Sequence, residues 1–212
     1  MPTKTDLETL ANHLVAQQGN SRHIIAIAGP PGAGKSTFSD ALRDRINLAI
    51  PQSCEVLPMD GYHFDDTYLE RKGWRTRKGA PHTFDVAGFA AMLGRLQTNT
   101  DPEIVVPVFD RTLEIARAGA RAIPRKVHTL IVEGNYLLLT SQPWAELRTY
   151  FDTTVMLTVP AGTLEMRLIE RWTGFGFSKT DAAVKIAQND MLNIKEVVEN
   201  SSTADFSIPF AG

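Results

Sequence analysis

The segment Gly29-Pro-Pro-Gly-Ala-Gly34-Lys35-Ser36 constrains this chain more than any other. It fits a glycine, four residues, then Gly-Lys-Ser/Thr. An apolar, β-branched run, Ile24-Ile-Ala-Ile-Ala28, precedes it. After it, Phe38, Leu42 and Ile46 recur at helical spacing from Ser36 onward. Strand, glycine loop and helix in that order make a phosphate cradle. The glycines let successive N–H groups face one concave nest, and the positive end of the helix adds to it. Gly29, Pro30, Pro31, Gly32, Ala33 and Gly34 are expected to form the nest. Lys35 is expected to reach β- and γ-phosphates, Ser36 to ligate Mg²⁺ and Thr37 to donate to the α-phosphate. ATP and Mg²⁺ are therefore the expected cofactors.

The rest of the chain alternates. Thr5-Asp-Leu-Glu8 reads as a capping box opening a first helix over 5–18. Glu55–Met59, Ile104–Phe109, Thr129–Val132, Thr154–Val159 and Ala204–Pro209 read as strands. Val86–Leu96, Leu164–Trp172 and Asp181–Val198 read as helices. Interleaved strands and helices imply an α/β protein with a mostly parallel central sheet and helices on both faces. Gly61–Thr83 reads as irregular, and loops of that length usually carry function.

Open parallel sheets place their sites beyond the carboxyl ends of the strands, so acidic residues there rank first. Glu133 ends Thr129-Leu-Ile-Val and takes the place of a Walker-B acid near the Mg²⁺, or simply starts a turn. Asp60 ends Val56-Leu-Pro-Met; it can accept a proton from a substrate hydroxyl, or cap a turn. His63 alone reads as a loop or core histidine. Asp110 and Arg111, side by side after Val106-Pro-Val-Phe, read as a salt-linked loop. Arg167 and Arg171 stand four apart on one helical face, as a phosphate clamp or as solvated surface. Arg71, Lys72, Arg75, Arg77 and Lys78 either screen an anionic substrate or line a solvated loop.

Composition removes other classes. Lys and Arg number 22 and Asp and Glu 24, for a formal net charge of −2, which does not suggest nucleic acid or an anionic membrane as partner. Cys54 is the single cysteine, so a disulfide framework or cysteine-rich zinc site is excluded. The N-terminus lacks the order of a signal peptide. The longest apolar runs fall far short of the ~20 residues that cross a bilayer. A cytoplasmic location without membrane insertion is expected, and the 212 residues are expected to form one domain over 1–212. An Asn-Lys-x-Asp guanine-reading segment and a Leu-Ser-Gly-Gly-Gln transporter signature are both missing. This favours an ATP-dependent kinase acting on a small-molecule hydroxyl; a regulatory ATPase or nucleotide switch is the alternative.

The phosphate loop, Asp60-Gly-Tyr-His63, Lys78-Gly-Ala-Pro-His-Thr-Phe-Asp85, Phe109-Asp-Arg-Thr-Leu-Glu114 and Val132-Glu-Gly-Asn-Tyr-Leu-Leu139 follow in that order. In this the chain resembles the bacterial P-loop kinases related to uridine kinase, pantothenate kinase and phosphoribulokinase. It is most similar to the branch labelled fructose transport system kinase or fructokinase, over about Ile24 to Pro209. The resemblance implies a three-layer P-loop NTPase fold and transfer to a fructose-type sugar or nucleoside-like acceptor. It implies Asp60 as catalytic base, Glu133 near magnesium, and Phe84 and Asp85 as one wall of the acceptor pocket. Arg111 falls at a substrate-contacting position, with Tyr62, His63 and Asp110 expected beside it. Arg167 and Arg171 fall on a lid helix within about 162–178, whose arginines close over the ATP phosphates, and 61–85 is expected to form the acceptor-side loop region. Uridine kinases carry Phe-Tyr where this chain has Tyr62 and His63, and their lid is richer in arginine.

Overall fold

The computed structural model describes residues 1–17, 19 and 21–210. Along the chain come β1 (Thr3–Lys4), α1 (Leu7–Ala16), β2 (His23–Ala28), α2 (Lys35–Ala49) and β3 (Cys54–Pro58). Then follow α3 (Asp66–Lys72), α4 (Val86–Thr98), β4 (Glu103–Asp110), β5 (Ile115–Pro124), β6 (Thr129–Gly134) and β7 (Thr153–Thr158). The C-terminal part holds α5 (Ala161–Gly174), α6 (Lys179–Lys185), α7 (Met191–Asn200) and β8 (Phe206–Pro209).

β2 has no polar residue after His23, so both of its faces need cover. β6 pairs with it on one side and β7 on the other, and the parallel sheet runs in the order β1-β8-β7-β2-β6-β3. Ile24, Ala26 and Ala28 face a cluster containing Phe89, Leu93 and Trp144. Ile25 and Ile27 face the other cluster, with Leu10, Leu14, Phe38, Leu42, Leu164 and Leu168. This two-sided burial fixes the register, because a slip of one residue would exchange the faces. Among the described residues, no helix is long and apolar enough to cross a membrane.

One charge supports this frame from within. The Arg22 side chain donates to the carbonyl oxygens of Val127 (2.9 Å), Leu96 (3.0 Å) and Pro124 (2.9 Å), and the residue is 4% exposed. It thereby ties the end of α4 to the segment entering β6. Burial lowers its pKa to about 10, so it stays charged at neutral pH. Arg22→Met is expected to cost about 3 kcal/mol, since buried carbonyls lose their donor together. Chemical denaturation checks this, and a loss under about 1 kcal/mol would show that water replaces the guanidinium.

Several expectations are corrected. Asp6, not Thr5, caps α1, its carboxylate accepting from the Thr9 N–H at 2.8 Å. The expected end of that helix at Gln18 lies outside the described residues, as do Ala211 and Gly212 of the expected domain. Ile104–Phe109 does not join the parallel sheet: β4 pairs antiparallel with β5 as a separate two-stranded hairpin. Asp110 and Arg111 therefore stand on that hairpin and not at a strand end of the main sheet. The 61–83 stretch is not irregular throughout, since it contains α3 and short 3₁₀ turns. The helix expected over Asp181–Val198 carries a π-helical segment, Ile186–Asp190, between α6 and α7.

Candidate active site

The glycine loop joins β2 to α2. Gly32 (φ 80°) and Gly34 (φ 82°) take left-handed conformations that other residues rarely adopt. At Gly34 a Cβ would also stand 2.8 Å from the Phe210 ring. Lys35 folds back into its own loop, donating to the Pro30 carbonyl at 3.1 Å and to Asn135 Oδ1 at 2.6 Å. Burial pulls its pKa down to about 8, against the pull of the Glu133 and Asp60 carboxylates.

The Ser36 hydroxyl donates to Glu133 Oε1 at 2.9 Å. Glu133 is the last polar residue of a fully buried strand, and burial, then the neighbouring Asp60, raises its pKa. Pro58 stands opposite Glu133 in the β3–β6 register, so a single turn carries the chain from there to Asp60. Two glycines make that approach possible. A Cβ at Gly134 would lie 2.6 Å from Met59 Cβ, and one at Gly61 would lie 2.5 Å from the Pro107 carbonyl. Both carboxylates are thus followed by glycine for the same reason: side chains there would drive the turn out of the gap between β6 and the hairpin.

Asp60 Oδ2 accepts from Arg111 Nη2 at 2.7 Å. Burial alone would raise the Asp60 carboxyl, but His63, Arg111 and Lys35 hold it below its usual range. His63 Nδ1 lies 2.8 Å from the Asp60 main-chain oxygen, which can only accept, so this nitrogen carries the proton. The imidazole packs against Phe84 (4.1 Å between centroids) and Phe109 (4.6 Å), and burial lowers its pKa. Arg171 reaches in from α5, with its guanidinium 5.8 Å from the centre of the Trp172 ring. Burial, then the like charge of Arg111, lowers its pKa.

These groups share a cavity of about 320 Å³. Of the residues picked from sequence, Pro31, Gly32, Gly34, Lys35, Ser36, Thr37, Asp60, His63, Lys78, Phe84, Arg111, Glu133 and Arg171 line it. Gly29, Pro30 and Ala33 build the loop behind it. Tyr62 lies in the core against Phe89, at 4.5 Å. Asp85 caps α4 by accepting from the Gly88 N–H at 2.9 Å. Asp110 caps the hairpin turn through the Thr112 (3.0 Å) and Leu113 (3.1 Å) N–H groups. Arg167 Nη1 donates to the Gly32 carbonyl at 3.3 Å, outside the cavity wall.

Other lining residues were not singled out by sequence. Asn135 follows Glu133 by two positions in Val132-Glu-Gly-Asn, so proximity to that acid was an available signal. Asn189, Asp190 and Asn193 enter from the π segment and α7. Asp190 Oδ2 accepts from Trp172 Nε1 at 2.8 Å, and burial raises its pKa. Among the described residues, no group of three or more His, Cys, Asp or Glu could hold a metal ion. The Ser36–Glu133 pair, two hard oxygen donors, suits a magnesium ion that shares its shell with nucleotide oxygens and water.

No protein-family profile matches the chain. A curated relative, "Putative uridine kinase C227.14" of Schizosaccharomyces pombe, is 31% identical over 191 residues, covering 87% of this chain and 81% of the relative. The pantothenate kinase of Limosilactobacillus reuteri is 26% identical, covering 76% of this chain and 53% of its own. A crystal structure described as a "putative fructose transport system kinase" of Silicibacter sp. TM1040 superimposes with a TM-score of 0.90 at 34% identity, over 97% of this chain and 100% of that one. With its phosphate loop, parallel sheet and paired strand-end carboxylates, the chain belongs to the P-loop small-molecule kinases that include uridine kinase, pantothenate kinase and phosphoribulokinase.

Proposed function

We propose that this protein transfers the γ-phosphoryl group of ATP to a hydroxyl of a small molecule, a fructose-type sugar or a nucleoside-like acceptor. The observation that carries this reading is Asp60: an ionised carboxylate steered by Arg111, in the same cavity as the phosphate-loop Lys35.

In this reading the loop from Gly29 to Thr37 holds the phosphates through backbone N–H groups, and Lys35 and Arg171 neutralise charge on the transferred group. Arg167, tied to the Gly32 carbonyl, fixes α5 against the loop. Ser36 and Glu133 would hold a magnesium ion, whose chemistry is to neutralise charge on β- and γ-oxygens. His63, Phe84 and Arg111 form the acceptor wall; Tyr62, Asp85 and Asp110 shape it from behind. The acceptor oxygen bonds to the γ-phosphorus as the bond to the β–γ bridging oxygen breaks. Its proton passes to Asp60, and ADP leaves with the bridging oxygen. With α5 held against the loop, water, which would otherwise compete as acceptor, is kept from the phosphates.

The test is ADP release from Mg-ATP across a panel of sugars, nucleosides, pantothenate and phosphosugars. One acceptor is expected to raise turnover well above the acceptor-free rate. A flat panel over fast background hydrolysis would overturn the reading in favour of a regulatory ATPase.

A further inference from the structure

The segment 71–78 carries Arg71, Lys72, Arg75, Arg77 and Lys78, a run that would ordinarily attract a carboxylate or phosphate ester. The structure engages Lys72, Arg75, Arg77 and Lys78 with other groups. Lys72 lies over the Tyr68 and Trp74 rings, at 5.6 and 5.9 Å. Arg77 donates to the Gln188 carbonyl at 2.7 Å and to Asn193 Oδ1 at 3.2 Å.

Of the run, Lys78 lines the cavity, and its ammonium is already engaged. It donates to Asp66 Oδ1 at 2.7 Å and to the Glu114 carbonyl at 2.7 Å, with Glu114 Oε2 at 3.7 Å. The side chain is 9% exposed and sits 5.4 Å from the Phe109 ring centre. Asp66 is the hub of this arrangement, since its other oxygen takes Arg75 Nε at 2.7 Å. Arg111, the second cation on this side, is held by Asp60. Apart from Lys35 and Arg171, which this reading gives to the phosphates, the cavity is thus lined by compensated charge, by Asn135, Asn189 and Asn193, and by the rings of His63, Phe84 and Phe109. Amides exchange hydrogen bonds with hydroxyls, and an apolar ring cluster suits the apolar side of a sugar or a base. An anionic acceptor would have to draw Lys78 away from Asp66, or sit beside the carboxylates of Asp66 and Glu114.

We propose that Asp66 sets the charge selectivity of the acceptor site: by holding Lys78 it admits uncharged, hydroxyl-bearing acceptors and turns away those carrying a carboxylate or phosphate. This rests on the kinase reading above. Asp66 acts through Lys78 and is a positioning residue.

The test uses matched pairs differing by one anionic group: fructose and fructose 6-phosphate, uridine and uridine 5′-monophosphate, glycerol and glycerate. kcat/KM is measured for wild type, Asp66→Asn and Asp66→Glu. Wild type is expected to favour the neutral member of its best pair by about tenfold or more, since like-charge juxtaposition is costly. Asp66→Asn is expected to shrink that ratio by about tenfold through a lower KM for the charged member, and Asp66→Glu to restore it. A wild type that favours the charged member overturns the proposal. So does an Asp66→Asn protein of unchanged thermal midpoint whose ratio equals that of wild type. Calorimetric binding of the same pairs, with a non-hydrolysable ATP analogue present, reads selectivity without turnover. Selective binding with no phosphorylation in any pair would sink the kinase reading and leave the selectivity standing; binding of neither member overturns the selectivity.

Discussion

Asp60→Asn is expected to bind ATP nearly as wild type does and to lose turnover by about a thousandfold, within the range attributed to a positioned general base. Asparagine keeps the size of the side chain and an oxygen for the Arg111 guanidinium, so the hairpin should stay in place. What disappears is the capacity to take a proton from the acceptor. The pH profile sharpens the test. A base whose pKa is held below its ordinary 3.8 is ionised throughout the neutral range, and activity that needs it falls only as pH drops through that lowered value. Wild-type activity should thus survive mild acid as far as this group is concerned. Retention of turnover within about tenfold in the variant would remove Asp60 from the role of base.

The second large effect falls on Lys35. Lys35→Met is expected to reduce kcat by about a hundredfold or more, because a preorganised charge aimed at the transferred phosphoryl group is lost. Nucleotide affinity should fall with it. The wild-type lysine adds a pH signature. With a pKa of about 8 before nucleotide binds, it is protonated below that pH and neutral above it. Phosphate favours the protonated form, so binding takes up a proton above pH 8 and affinity declines as pH rises, by up to about tenfold per pH unit. Calorimetry from neutral to alkaline pH should show this decline in wild type and its loss in Lys35→Met. The same alkaline slope in both proteins would place the titrating group elsewhere.

The nucleotide side was legible because its chemistry is done by the backbone. A nest of N–H groups demands glycines at fixed spacing, so Gly29 to Ser36 announces itself. The two-sided burial of β2 was equally plain from an unbroken apolar run. The acceptor side was harder to read. Asp60, Asp85 and Asp110 look alike in sequence, since a carboxylate ending a strand, capping a helix or closing a turn accepts the same kinds of hydrogen bond. In the structure the first faces the cavity, the second caps α4 and the third holds the hairpin turn. β5, Ile-Ala-Arg-Ala-Gly-Ala-Arg-Ala-Ile-Pro, leaves no strand signal in the sequence because alanine and glycine carry little strand propensity. Without β5 as a visible partner, the apolar run of β4 looks in sequence like one more strand of the parallel sheet. Arg167 and Arg171 share a helical face, yet only Arg171 lines the cavity, because Arg167 is taken up by a loop carbonyl.

The strand order also dictates when the phosphate cradle can come into being during synthesis. β2 and the loop that follows it emerge early, but both hydrogen-bonding neighbours of β2 come late, β6 at Thr129–Gly134 and β7 at Thr153–Thr158. Until those segments leave the ribosome, Ile24 to Ala28 is an unpaired apolar strand with open edges, and the glycine loop has no frame to hold its shape. Pairings this distant in sequence carry a large chain-closure cost before they return any stabilisation, which slows folding. Nucleotide can act as a folding ligand only after β7 has been made.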